Sequence, residues 1–154
     1  MDVIYYNRSS RPELERTYGV KKVRLEELLS QSDIVVSMLP LTEETYHFIG
    51  ERELKLMKPS ALLVNGGRGP VIDEQALISA LQRNAIFGAA LDVYEQEPLP
   101  ENSPLLQLTN VTLTPHIGSA TQQTRDAMAM RAAENLVAAV TNGKPKDIVK
   151  ELLS

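Results

Sequence analysis

The sequence predicts an α/β fold, with a parallel sheet covered by helices on both faces. Two observations carry this expectation. Short apolar runs of four to six residues recur along the chain, and longer amphipathic segments separate them. Strands that alternate with helices in this way favour a parallel sheet buried between helical layers. A third observation points to function. Five consecutive predicted strand ends carry small or polar residues, and in open parallel sheets ligands gather at the carboxyl ends of the strands.

The elements follow in order. A first strand is expected at Val3–Tyr6, ending in Asn7-Arg8-Ser9-Ser10-Arg11. Leu25, Leu28 and Leu29 mark one face of a helix over Leu25–Gln31. Ile34–Met38 is the next strand and runs into Leu39-Pro40-Leu41-Thr42. The stretch Thr42–His47 reads as the start of a surface helix. Ala61–Asn65 leads into Asn65-Gly66-Gly67-Arg68-Gly69. Asp73–Arg83 places Ala76, Leu77, Ala80 and Leu81 on a 3.6-residue stripe, with Asp73 favouring its N-terminus. Gly88–Val93 contains Asp92 and precedes Glu95-Gln96-Glu97-Pro98. Val111–Thr114 precedes Pro115-His116-Ile117-Gly118. The longest helix, over Ser119–Asn142, repeats Ala and Met on one side and stops at Asn142-Gly143.

Composition narrows the function classes. The 154 residues suffice for one domain with its own core. A net charge of -4 argues against a nucleic-acid surface. The absence of cysteine excludes disulfides and thiolate metal sites. The apolar runs fall well short of the roughly 20 residues that span a bilayer. The expectation is a cytoplasmic protein with no metal, nucleic-acid or membrane partner.

Three residues could do chemistry. Arg68 stands between glycines, which form either a tight turn with an exposed arginine or a close backbone approach in which the guanidinium grips a carboxylate. His116, one of two histidines, lies in a loop at a strand end, where a proton-transfer residue would sit. Glu97 gains meaning beside His116, because a carboxylate orients the ring and favours its protonated form. His47 reads as a surface residue without a catalytic role.

Several stretches together carry a resemblance. They are Ser32-Asp33-Ile34-Val35-Val36, Leu39-Pro40-Leu41-Thr42, Met57-Lys58, Asn65 through Glu74, Gly88 through Val93, Glu97-Pro98-Leu99 and Thr114 through Thr121. In this order and spacing the chain resembles the D-isomer-specific 2-hydroxyacid dehydrogenases, and most closely their glyoxylate, hydroxypyruvate and 2-ketogluconate reductases. The resemblance implies a Rossmann-like fold and hydride transfer between a nicotinamide cofactor and a small 2-oxo acid. It implies that Arg68 binds the substrate carboxylate and carbonyl, that His116 exchanges the proton, and that Glu97 holds His116. It further implies that Asp92 meets the nicotinamide carboxamide, that Leu39, Pro40 and Thr45 line the adenine and ribose side, and that Gly67 and Gly118 allow close approach.

The first strand end bears on cofactor choice. NAD-selective sites place an acidic residue there for the ribose 2′-hydroxyl. This chain has Asn7, Arg8, Ser9 and Arg11, which would accept a 2′-phosphate, so NADP is expected over NAD. The fingerprint Gly-x-Gly-x-x-Gly, expected about 20 residues before Asn7, has no room ahead of it. The first βα unit and a substrate domain are therefore expected to be missing. Residues 1–143 would form a partial cofactor domain, and the tail 144–154 would pack on the missing domain. In the order 3-2-1-4-5-6 the missing strand is central. Val3–Tyr6 and the strand ending at Asn65 would lose the neighbour between them, leaving edges to be covered in a homodimer or by another chain. The isolated chain would then be inactive, or would serve as a non-catalytic nucleotide-binding or assembly module.

Overall fold

A computed structural model describes residues 1–141 and 143–149. The strands are β1 (Ile4–Tyr5), β2 (Lys21–Lys22), β3 (Ile34–Ser37), β4 (Leu62–Asn65), β5 (Gly88–Leu91) and β6 (Val111–Leu113). The helices are α1 (Pro12–Tyr18), α2 (Leu25–Gln31), α3 (Glu51–Leu56), α4 (Glu74–Gln82) and α5 (Gln122–Val140). Every strand pairing is parallel. The chain divides into two compact units, Met1–Pro115 and His116–Ser154.

Within the first unit the strands form two separate sheets, a pair β1-β2 and a run β3-β4-β5-β6. Val35 pairs in register with Leu63, and Leu63 with Ala89. These three residues face one side, where α2, α3 and α4 supply Leu29, Leu54, Leu77 and Leu81 to a common core. Burying a leucine this fully stabilises the fold by roughly 1.5–3 kcal/mol. On the opposite side of β3, Ile34 and Val36 remain exposed, as alternation along a strand requires.

The starts of α1, α3, α4 and α5 each have a local cause. Asp73 Oδ1 accepts the Ala76 N–H at 2.9 Å and caps α4. Glu53 accepts the Gly50 N–H at the start of α3. Pro12 occupies the first turn of α1, and Gly19 ends that helix with φ 66. In the second unit Thr121 caps α5 through Thr124 N. Gly143 N donates to Ala138 O at 2.8 Å beyond the helix. The expected stop at Asn142 lies outside the described residues, as do 150–154 of the tail.

Two expectations need correcting. Thr42–His47 is a turn rather than a helix start: Thr45 Oγ1 accepts from Thr42 N at 2.7 Å and donates to Pro40 O at 2.6 Å. Such local hydroxyl bonds compete with helix formation. The interrupted neighbours of the sheet are also different. The strand across from β1 is β3, not the strand ending at Asn65, which is paired on both sides. The cause is β2. Two lysines give no apolar signal, yet they pair with Ile4 and Tyr5 and add a strand to the count.

Between β1 and β3 lies a cleft of about 670 Å³. Val3 and Tyr5 line it on the β1 side, Val35 and Val36 on the β3 side, and Met38 and Phe48 line it from the segment after β3. Tyr6 stacks on Phe48 with ring centroids 6.0 Å apart. The two sheets approach each other across this cleft without pairing.

Candidate functional site

The carboxyl ends of β1, β3, β4 and β5 carry the expected site residues of the first unit. The turn after β4 is built most tightly. Asn65, 2% exposed, accepts the Gly67 N–H at 3.2 Å and donates to Arg68 O at 3.1 Å. Gly67 is buried against the chain after β3, where a Cβ would stand 2.6 Å from Leu39 O. Gly69 is tighter still, since a Cβ would fall 1.8 Å from Tyr94 O. Neither position admits a side chain. Arg68 between them is exposed, and its Nη1 donates to Gly67 O at 2.8 Å. The turn therefore buries its backbone and presents one guanidinium.

This packing joins Gly67 to Leu39, and Thr45 to Pro40 through the 2.6 Å hydrogen bond. The close approach that Gly67 permits is to the protein's own chain. After β5, Asp92 N donates to Asn65 O at 3.0 Å, which ties that segment to the Arg68 turn. Asp92 Oδ1 accepts from Thr114 Oγ1. Glu97 is exposed and accepts the Tyr94 N–H at 3.1 Å. Burial pushes the Tyr94 phenol up, and Asp92 adds to the effect; its hydroxyl donates to Thr114 O at 2.8 Å.

At the end of β1, Asn7 Oδ1 accepts the Arg8 N–H, and Lys22 Nζ donates to Arg8 O. Tyr5 Oη donates to Glu15 and accepts the Arg11 N–H at 2.7 Å. Hydrogen bonds from Tyr5 and then Ser10 hold the Glu15 carboxyl below the usual range. Ser9 is exposed in the bend between Asn7 and Arg11. Asn7 and Arg11 share the wall of the β1–β3 cleft with Leu39 and Pro40.

His116 and Gly118 belong to the second unit. His116 is exposed and has a left-handed backbone, φ 53, a conformation that clusters at functional positions. Further along, Arg131 and Asn135 on α5 hold Asp147, and Arg131 keeps that carboxyl below its usual range.

Sequence reasoning missed three residues. Asn65 ended a strand without distinction, although it brackets the Arg68 turn. Ser37 also ends a strand, is 4% exposed, and has an Oγ with no hydrogen-bond partner among the described residues. It lines the same cleft as Asn7 and Arg11. His47 is not an idle surface group, since its Nε2 lies 2.7 Å from Glu95 Oε1. Only for Asn65 was a signal present, as Asn next to two glycines marks a turn. No helix among the described residues is long and apolar enough to cross a membrane.

Comparison with known proteins agrees with this architecture. Residues 1–118 match the family described as D-isomer specific 2-hydroxyacid dehydrogenase, NAD binding domain. The chain is 52% identical over 141 residues to glyoxylate/hydroxypyruvate reductase B of Yersinia enterocolitica, covering 92% of this chain and 43% of that protein. A glyoxylate reductase from Paecilomyes thermophila superposes with a TM-score of 0.87 at 42% identity, over 99% of this chain and 46% of that one. The NADPH-dependent glyoxylate/hydroxypyruvate reductase of Sinorhizobium meliloti, solved with NADP and malonate, gives 0.87 at 35% identity, over 97% and 46%. Structural neighbours carry either NAD or NADP. The chain thus spans a little under half the length of the relatives it matches. With a parallel Rossmann-like sheet, a glycine-bounded arginine after β4 and this match across residues 1–118, the chain belongs to the D-isomer specific 2-hydroxyacid dehydrogenases.

Proposed function

We propose that this chain is the catalytic portion of the cofactor domain of an NADP-linked 2-hydroxyacid dehydrogenase, reducing a small 2-oxo acid such as glyoxylate or hydroxypyruvate. The Arg68 turn carries the reading. Its backbone is fixed by Asn65, Leu39 and Tyr94 while its guanidinium stays exposed. A planar cation on a rigid turn suits bidentate binding of a carboxylate.

The residues fit a dinucleotide. The cleft that Asn7, Arg11, Leu39 and Pro40 line also contains the unpartnered Ser37 Oγ, and a buried hydroxyl of that kind asks for a polar partner. Asn7, Arg8, Ser9 and Arg11 would hold the ribose 2′-phosphate, and Leu39, Pro40 and Thr45 the adenosine side. Asp92 would meet the carboxamide, with Gly67 and Gly118 beside the cofactor. The bound nicotinamide supplies the hydride. Arg68 would hold the substrate carboxylate and stabilise charge growing on the carbonyl oxygen. His116 would give that oxygen a proton, and Glu97 would orient the imidazole and favour its protonated form.

The reading includes a division at residue 143, with the tail 144–154 packing on a substrate domain, and a cytoplasmic location. The open β1–β3 cleft supports a companion reading. A strand from another chain, or from a second copy in a homodimer, would complete the sheet, and the 154 residues alone would bind nucleotide or assemble without turning over.

Titration calorimetry of the chain with NADPH and NADH tests the cofactor side. Tighter NADPH binding, weakened at least tenfold by Arg8→Glu, is expected; equal affinity for both would refute the NADP preference. Glyoxylate-dependent NADPH oxidation, assayed with and without the N-terminal half of a relative, separates the two readings. Activity only in the mixture, lost in Arg68→Ala, is the expected result.

A further inference from the structure

Three carboxylates and one imidazole, none of them among the proposed site residues, meet beside the Arg68 turn. His47 Nε2 lies 2.7 Å from Glu95 Oε1, and its Nδ1 lies 3.9 Å from Asp73 Oδ2. Glu95 Oε1 also accepts the Glu74 N–H at 3.1 Å, and Glu74 Oε2 accepts the Glu95 N–H at 3.2 Å. Ligand atoms of His47, Asp73 and Glu95 come close enough together to hold a metal ion. Two features argue against that use. The nearest pair already bonds to itself, and the cluster sits at the positive end of α4, where a cation is disfavoured.

The backbone around His47 is as specific as its side chain. His47 has φ 49, a left-handed conformation that is uncommon outside glycine. Its N–H donates to Pro70 O at 2.8 Å, and two residues on, Ile49 bridges to Ile72. The ring stacks on Tyr46 with centroids 4.0 Å apart. The imidazole is therefore aimed from the segment after β3 at the segment after β5.

We propose that His47 is a positioning residue, a clasp whose hold on Glu95 fixes the Asp92–Pro98 segment, and with it Glu97, against the Arg68 turn. Three segments meet at the clasp. One is 39–47, which carries Leu39, Pro40 and Thr45. The second is 65–74, which carries Arg68 and the Asp73 cap. The third is 92–98, where Tyr94 O abuts Gly69 and Tyr94 N donates to Glu97 Oε1. Glu95 bonds to the His47 side chain of the first segment and to both the side chain and the backbone of Glu74 in the second. Releasing it frees the loop next to Glu97 without touching the sheet. The consequence for catalysis rests on the proposed function; the clasp itself does not.

Amide hydrogen exchange on the purified chain tests the clasp without requiring activity, so a wrong function and a wrong clasp give different results. His47→Ala should speed exchange at the Glu74, Glu95 and Tyr94 amides at least tenfold, leave the β4 and β5 amides unchanged, and be largely reversed by His47→Gln, which keeps a donor at similar reach. Glu95→Gln, approaching from the other side, should speed Tyr94 less than His47→Ala does. Unchanged exchange at Glu95 in His47→Ala would overturn the clasp. Faster exchange at Glu95 with Tyr94 unaffected would overturn the positioning of Glu97.

Discussion

The run β3–β6 and the pair β1–β2 are built from similar short parallel strands, yet only the first is closed. Among the described residues, every buried hydrophobic one lies between Leu29 and Leu105. β4 and β5 are paired along both edges and covered by α2, α3 and α4. β1 is half-buried, β2 is exposed and α1 buries nothing. The difference lies in cover rather than propensities. A parallel strand contributes to a core when helices cover it, as Val35 of the edge strand β3 shows, whereas α1 beside β1 buries no residue. β1 has one neighbour, and its other edge faces the cleft. The site divides along the same line: the Arg68 turn stands on the closed side, the expected 2′-phosphate residues on the open side.

Substitutions can break this comparison. The largest effect is expected for Leu77→Ala, which should cost about 2–5 kcal/mol by leaving a cavity in the closed core. Leu14→Ala in α1, where the side chain is 48% exposed, should stay within about 0.5 kcal/mol. Urea titrations of the two variants decide the matter, and equal losses would mean that the two regions are closed alike. Next come two glycines. Gly69→Ala drives a Cβ into Tyr94 O and should cost about 3 kcal/mol, because backbone cannot yield as a side chain would. Gly19→Ala meets nothing within 4 Å and should cost only the left-handed penalty of about 1–2 kcal/mol.

A smaller effect depends on pH. Desolvation, followed by the neighbouring charge of Glu95, raises the Glu74 carboxyl above its ordinary 4.5. The folded chain therefore binds that proton more tightly than the unfolded chain does. The resulting stability is complete below pH 4.5 and is lost as pH rises through the folded value. Glu74→Gln, which still accepts the Glu95 N–H, should be more stable than the parent at neutral pH, with the gain vanishing in acid. Thermal melts across that range check it. The smallest effect belongs to the second unit. The Arg131 guanidinium, followed by Asn135, holds Asp147 below 3.8. The stability it contributes is present above that pH and is lost as pH falls through the folded value. Asp147→Asn should speed exchange of the Lys146 and Asp147 amides, both bonded to Asn135 Oδ1, and high salt should have the same effect on the parent.

Much of this was legible in particular residues. α2 spans Leu25–Gln31 as its leucines predict, and Asp73 caps α4 as its position predicts. The five apolar runs all became strands, one or two residues shorter at their ends, because pairing stops where the neighbouring strand stops. α1 was signalled by Pro12 and Gly19, although its weak apolar face hid it. β2 could not be read, because Lys21-Lys22 is a strand only through its hydrogen bonds to β1. That one unread strand moved the open edge from β4 to β3.

By itself the sequence determined the strand–helix alternation, the family and the residue types at each strand end. Those depend on local periodicity and on motifs contiguous in the chain. Only the tertiary structure decided which edges remain unpaired, that Gly69 exists to admit Tyr94, and that His47 reaches across 48 positions to Glu95. These are contacts between segments distant in sequence, and no local pattern specifies which partner a strand edge or an imidazole will find.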